Sequence, residues 1–344
     1  MSWRSRSLLA LLLVTSPLVA CAQGAAWTAK LKDRLAALDR ETPGELGVWV
    51  KSLADGEQVG HQAERAYYLS STIKVPVAIV LLQEVERGEV SLERELTLKA
   101  SDPVDGAGPI QAMKPGAKLK VGYLLEQMLV HSDSTAADML IRLVGEEDLN
   151  AFLRGHGLGP VTTIMQVRYD AYRELHPEAE RLSSQDIYAI QQSGGWAQRR
   201  QAFARKLGVS PDELKAPSLG EAFERYYRRG LNSASLVAYG QLLEKLVNGQ
   251  LLSPEHTELL LGHMQAITTG SRRIQAGLPG GTRFAQKTGT QIGRMCNMGV
   301  VNPRSPRAVV IAACLEKYPS QREAEAVLRR VGEALAQSGA LGSG

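Results

Sequence analysis

Three short stretches hold the residues able to do chemistry. In "YYLSSTIKVP", Ser71 stands three residues before Lys74. A serine hydroxyl is a weak nucleophile at neutral pH and needs a base. Positions i and i+3 share a helix face, so Lys74 can lie beside Ser71. An extended "AYYL" before the pair and an apolar helical run after it put Ser71 near a helix N-terminus. Unpaired backbone N–H groups there favour a developing oxyanion. A desolvated lysine with a lowered pKa could accept the hydroxyl proton. Ser70 has Ile73 at the same offset and is the poorer candidate. Alone the pair carries little, because S-x-x-K arises roughly once by chance in a chain of this length. A serine at a helix start is also an ordinary cap. Two more stretches add weight. "VHSDSTAADML" sets Ser132, Asp133 and Ser134 before an apolar-periodic helix, and "FAQKTGT" ends a strand with Lys287, Thr288 and Gly289. A second serine and a second lysine could relay a proton to a leaving group. Gly289 would let a ligand approach the strand edge.

The elements that must position these groups follow from periodicity. Leu31, Leu35 and Leu38 recur at helical spacing. "GELGVWVKSL" reads as a strand, "ADG" as a turn and "EQVGH" as the return strand. From Thr72 to about Met264 the pattern is mostly helical, with loops at "SDPVDGAGP" and "GHGLGP". Three strand-like segments follow, "TRFAQKTGT", "MGVVN" and "RAVVIAACLE". A last helix near Gln321 to Gln337 carries Ala324, Val327, Leu328, Val331 and Leu335 on one stripe. Strands at both ends and helices between imply a sheet domain built from both termini around a helical one. The expected division is 27–70 with 265–340 for the sheet, and 71–264 for the helices. An insertion near 180–230, rich in arginine and lysine from Gly194 to Gly230, reads as a solvated helical segment.

With these motifs in this order, the chain resembles the class A serine β-lactamases and their penicillin-recognising relatives, the DD-peptidases. The motifs of that family are S-x-x-K, S-D-N and K-T-G. The similarity spans most of residues 27–340. It implies an α/β (α+β) fold, an antiparallel sheet flanked by helices with an inserted all-helical domain. Ser71 would be the acylated nucleophile, Lys74 its proton acceptor, and Ser132 the shuttle to the β-lactam nitrogen. Lys287 and Thr288 would hold the substrate carboxylate, and the N–H groups of Ser71 and Thr290 would form the oxyanion hole. "TTGSRRI" resembles the "TTG..RI" of carbapenem-hydrolysing class A enzymes, which points to Arg273 as a carboxylate ligand, with Arg294 as the fallback. For either arginine alone, an exposed charge is an equally good reading. The resemblance implies a serine β-lactamase, its substrates extending to carbapenems. A DD-peptidase, an esterase and a slowly deacylating penicillin-binding protein are the alternatives.

Two departures matter. Ser134 stands where the second motif ends in asparagine, and it reaches less far towards a substrate amide. Class A enzymes also carry a glutamate on an omega loop that activates the hydrolytic water. Here "VRYDAYRELHPEA" offers Asp170 in one alignment and Tyr172 in another, with Glu174 nearby. Asp170 is one methylene shorter than a glutamate. A plain loop carboxylate is at least as good a reading of it.

Composition bounds the rest. The chain has 344 residues and a formal net charge of +4. The first 22 residues hold Arg4 and Arg6 and no acids, so the remainder carries +2. Global charge gives nucleic-acid binding no support. "MSWRSRSLLALLLVTSPLVACAQGAA" reads as a secretory leader over residues 1–22. Ala20-Cys21-Ala22 fits a cleavage site releasing a soluble protein, and Leu18-Val19-Ala20-Cys21 resembles a lipobox that would leave a lipid anchor on Cys21. Either way a periplasmic monomer acting on a small molecule is the expectation. Cys296 and Cys314 remain; export permits a disulfide, but a packed free thiol at Cys314 is slightly preferred. The six histidines and three cysteines show no metal-ligand spacing, so no metal or cofactor is expected.

Overall fold

The computed structural model describes the backbone of residues 17–342 and the side chains of residues 26–342. Of the expected leader, residues 1–16 lie outside the described residues, as does the side chain of Cys21. Helix α1 (Pro17–Glu41) leads into a hairpin of β1 (Glu45–Ser52) and β2 (Gln58–His61). After β3 (Ala66–Tyr68) comes a 3₁₀ turn, Ser70–Ile73, that runs directly into α2 (Lys74–Glu86). The middle of the chain holds β4 (Glu95–Thr97), β5 (Lys118–Lys120), α3 (Val121–Val130), α4 (Ser134–Val144), α5 (Glu146–Gly155) and α6 (Ile164–Arg173). Then come α7 (Ser184–Gln192), α8 (Trp196–Leu207), α9 (Leu219–Tyr227), β6 (Ser233–Ser235), α10 (Leu236–Val247) and α11 (Pro254–Gln265). The chain closes with α12 (Ile274–Gly277), β7 (Phe284–Gln291), β8 (Arg294–Val301), β9 (Val309–Glu316) and α13 (Gln321–Ser338). No described helix is long and apolar enough to cross a membrane.

The five long strands form one antiparallel sheet in the order β2-β1-β9-β8-β7. Strands β8 and β9 are buried at every position, because both faces of the sheet are covered. On one face, Leu31 and Leu35 of α1 and Leu328, Val331 and Leu335 of α13 pack on Val48, Ile311 and Ala313. On the other, Trp49, Met298, Val310 and Ala312 join Val77, Leu81, Leu124, Leu140 and Leu243 of the helices. Truncating one such leucine to alanine costs about 2–5 kcal/mol, so these two cores hold the strands in place. Helix α12 crosses α13 closely. A Cβ on Gly277 would lie 2.1 Å from Arg329 O, and one on Gly332 would lie 2.2 Å from Ile274 O. Only glycine permits this approach, and it fixes the residue just before α12, Arg273.

The structure corrects four expectations. Cys296 and Cys314 form a disulfide rather than packing as free thiols. They face each other across the neighbouring strands β8 and β9, with Cα atoms 4.1 Å apart, a register that the 18-residue spacing permits but does not specify. Strand β8 begins at Arg294, four residues before the expected "MGVVN" segment. Its polar start is buried because Arg294 is ion-paired and Asn297 Nδ2 donates to Gln286 Oε1 at 2.9 Å. The mostly helical stretch also holds three short strands, β4 paired with β5 and β6 paired with β3 from before it. Finally, the arginine-rich insertion is not merely solvated. Phe203, Leu207, Leu219 and Ala222 are buried with Leu175, Ile187 and Ile190, and Tyr172 stacks on Phe203 at 5.1 Å.

Candidate active site

Ser71 sits in the 3₁₀ turn where β3 gives way to α2, and Lys74 is the first residue of α2. The preceding Ser70 has φ +50°, a left-handed backbone that a non-glycine residue seldom adopts. Strand β7 is the sheet edge and runs against this turn. A Cβ on Gly289 would stand 2.5 Å from Leu69 O, 2.9 Å from Ser70 Cβ and 3.1 Å from Ser71 N. The chain itself thus makes a close approach that requires this glycine.

Ser132 has φ +57° and precedes α4. Its hydroxyl lies between two buried amines. Lys74 Nζ donates to Ser132 O at 2.6 Å and lies 3.3 Å from Ser132 Oγ; Lys287 Nζ lies 2.9 Å from the same Oγ and donates to Thr288 O at 3.1 Å. Among the described hydrogen bonds of Lys74 Nζ, none goes to Ser71 Oγ. Both lysines are fully buried. Burial pushes Lys74 down to about 7, against the opposing pull of the Asp133 and Asp138 carboxylates. Burial, and then the Lys74 charge, pushes Lys287 well below the usual lysine range. One hydroxyl proton and two lone pairs suit one neutral and one charged amine, an arrangement able to pass a proton between them.

Ser71, Ser132, Ser134, Thr288, Thr290 and Arg273 all border one cleft of about 560 Å³. Thr288 Oγ1 and Thr269 Oγ1 are 2.6 Å apart. Arg273 is buried, and its Nη2 donates to Thr290 Oγ1 at 2.6 Å while Nη1 donates to Gly289 O and Cys296 O at 3.2 and 3.1 Å. It therefore braces the edge strand as well as facing the cleft. Arg294 does not border the cleft. Its guanidinium meets Glu224 at 2.8 and 2.7 Å and Glu316 at 3.0 Å, tying α9 to the sheet.

Asp170 is not among the cleft residues either. It is buried, with Arg173 Nη1 at 3.1 Å, Arg229 Nη1 at 3.0 Å and Gln166 Nε2 at 2.9 Å. Those donors pair Asp170 with two arginines and a glutamine away from the cleft residues, whereas the expected role needs it beside the cleft. Tyr172 is buried on Phe203, and Glu174 caps the end of α6. The α6 residue that borders the cleft is Arg168, whose Nε lies 2.6 Å from Asp105 Oδ1. Among the cleft residues the one carboxylate is Glu325, which receives a hydrogen bond from Arg272 at 2.8 Å. Sequence reasoning missed Arg168 and Asn232, both cleft residues, because no local signal marks them. It also passed over Asp133, the middle of the second motif. That carboxylate caps α4 by accepting from Ala136 N at 2.7 Å and holds Ile110 N at 2.9 Å. Its position just before an apolar-periodic helix was the available signal. Among the described residues no cluster of histidine, cysteine and carboxylate could hold a metal ion.

Comparisons with known proteins bear on the family and the fold. A family model described as the Beta-lactamase enzyme family matches residues 30–338. A β-lactamase of Citrobacter koseri is 25% identical over 318 residues, covering 92% of this chain and 89% of that one. The crystal structure of a β-lactamase from Xanthomonas campestris pv. campestris superposes with a TM-score of 0.67 at 23% identity, over 90% of this chain and 98% of that one. A mutant of PBP-A, solved as an acyl-enzyme complex with penicillin G, superposes with a TM-score of 0.65 at 22% identity, over 90% of this chain and 96% of that one.

Proposed function

Because the chain belongs to the Beta-lactamase enzyme family, we propose that it opens β-lactams through an ester formed on Ser71. Hydrolysis of β-lactams is the activity that membership brings. The observation that carries the finer reading is the Ser132 hydroxyl held between the Lys74 and Lys287 amines at the edge of the Ser71 cleft. A neutral Lys74 takes the Ser71 proton as Oγ attacks the lactam carbonyl carbon. The Ser71 and Thr290 N–H groups stabilise the oxyanion. The lactam C–N bond breaks, and the nitrogen receives its proton through Ser132. Lys287, Thr288 and Arg273 hold the substrate carboxylate, and Ser134 contacts the acyl amide. Catalytic contacts commonly tighten only when substrate binds, so the absence of a Ser71–Lys74 hydrogen bond is compatible with this role. The likeness of the "TTGSRRI" segment to that of carbapenem-hydrolysing enzymes puts carbapenems among the substrates. Nothing in the scheme requires a metal or cofactor.

A second reading has one observation in its favour: no carboxylate other than Glu325 borders the cleft. A trapped ester would make the protein a slowly deacylating penicillin-binding enzyme, and PBP-A is a neighbour seen as an acyl-enzyme. Intact-mass analysis during incubation with penicillin G, a cephalosporin and a carbapenem tests both readings. A transient adduct with turnover supports hydrolysis; a permanent one supports the trapped ester. Ser71→Ala abolishes labelling and Ser70→Ala does not. Labelling that survives Ser71→Ala would sink the assignment.

A further inference from the structure

Deacylation needs a positioned water, and Asp170 is committed to arginines outside the cleft. Two other polar groups at the cleft wall are uncommitted. Ser70 is 8% exposed and Asn232 is 7% exposed, and both border the cleft. Ser70 Oγ and Asn232 Oδ1 are buried, and neither has a hydrogen-bond partner. Leaving such an atom unsatisfied costs about 1–3 kcal/mol, so a fold tolerates it where a bound molecule supplies the partner. The Tyr68 hydroxyl neighbours the Asn232 side chain, and Oδ1 is still left without a hydrogen-bond partner.

Asn232 is held beside the nucleophile's turn by its own backbone and amide. Its N–H donates to Pro160 O at 2.8 Å, its C=O accepts from Leu69 N at 2.8 Å, and Nδ2 donates to Ser70 O at 3.3 Å. Its φ is +48°, a conformation asparagine tolerates better than most residues. A backbone so constrained, ending in a bare acceptor at the cleft wall, is a common sign of a preorganised site.

We propose that Asn232 Oδ1 and Ser70 Oγ seat the water that hydrolyses the Ser71 ester, in place of a carboxylate. This rests on the acyl-serine reading above. The water oxygen attacks the ester carbonyl carbon, and its proton passes to the neutral Lys74 amine. The bond from that carbon to Ser71 Oγ then breaks, and Oγ recovers the proton from Lys74. The acid product leaves, and serine and amine are restored. Asn232 is a positioning residue in this step, since an amide does not take the proton.

The test separates the two half-reactions with a chromogenic β-lactam, by burst kinetics and by mass analysis of the ester. Asn232→Gly and Ser70→Gly remove each side chain while keeping the positive φ accessible. Each should slow deacylation about 10- to 100-fold, as misplacement of a reactant does. Acylation should change far less, and the ester should accumulate. Asn232→Asp puts a carboxylate at the same point, and should deacylate at least about tenfold faster than Asn232→Gly, as a positioned base does. Equal losses in acylation and deacylation, or deacylation of Asn232→Asp as slow as that of Asn232→Gly, would overturn the proposal. So would effects of Asn232→Gly that track the acyl substituent, which would mean that the substrate fills the seat. Wild-type protein that forms no Ser71 adduct would instead overturn the acyl-serine reading itself, a result visible before any variant is made.

Discussion

At the scale of residues, protonation decides what the cleft can do. Lys74 can accept a proton only when neutral, and burial brings its pKa to about 7. Acylation rate should therefore climb as pH rises through about 7 and then level off. Single-turnover acylation measured across pH checks this; a flat profile, or one that falls through neutrality, would remove Lys74 from the role. Asp170 gives a contrasting expectation. Its partners Arg173 and Arg229 have side chains 38% and 41% exposed, so solvent screens the pairs. Asp170→Asn should cost roughly 1 kcal/mol of stability. It should leave deacylation almost unchanged, whereas loss of a general base would cost about 10²–10⁴ in rate. Comparing the melting temperature and deacylation rate of this one variant distinguishes a counter-ion from a base.

At the scale of elements, the decisive contact is strand β7 against the Ser70–Ile73 turn. Gly289→Ala would place a methyl 2.5 Å from Leu69 O, so strand and turn must separate. Overpacking of this kind costs about 1–3 kcal/mol. A displacement near 1 Å between nucleophile and strand edge costs about 100-fold in rate. Acylation at a temperature where the variant is fully folded measures the second effect; wild-type acylation would mean the approach is not needed. This contact also shows where sequence legibility stopped. The types and spacing of Ser71, Lys74, Ser132 and Lys287 were readable, as were the long strands and terminal helices, because motif and periodicity are local. The reason for Gly289 was not, since it lies in a turn more than two hundred residues away. The Cys296–Cys314 bond was not readable either, because it depends on the exact register of two neighbouring strands, and Arg168 and Asn232 reach the cleft wall only through tertiary packing. The insertion was misjudged because its arginines stand out in the sequence. The stacking of Tyr172 on Phe203 that buries its other face depends on distant pairing.

At the scale of the whole molecule, the buried ionisable groups should shape stability against pH. Burial raises Glu84 to about 7 and Asp138 to about 6, so the folded chain holds protons there that the unfolded chain has lost. Their contribution is complete in acid and disappears as pH rises through those values. The lysines act in the opposite sense. Lys74 titrates at about 7 when folded but near 10.4 when unfolded, so between those values the unfolded chain binds more protons. Stability then increases with pH, and Lys287, shifted in the same direction, adds to the effect. The two groups together predict a shallow stability minimum near neutrality, where Lys74 passes from charged to neutral. Melting temperatures across the acidic, neutral and alkaline range, at fixed ionic strength, check it. Glu84→Gln should flatten the acidic limb, and Lys74→Met should flatten the alkaline limb while abolishing acylation. A curve that instead peaks at neutrality, unaltered by both substitutions, would show that surface charge outweighs these buried groups.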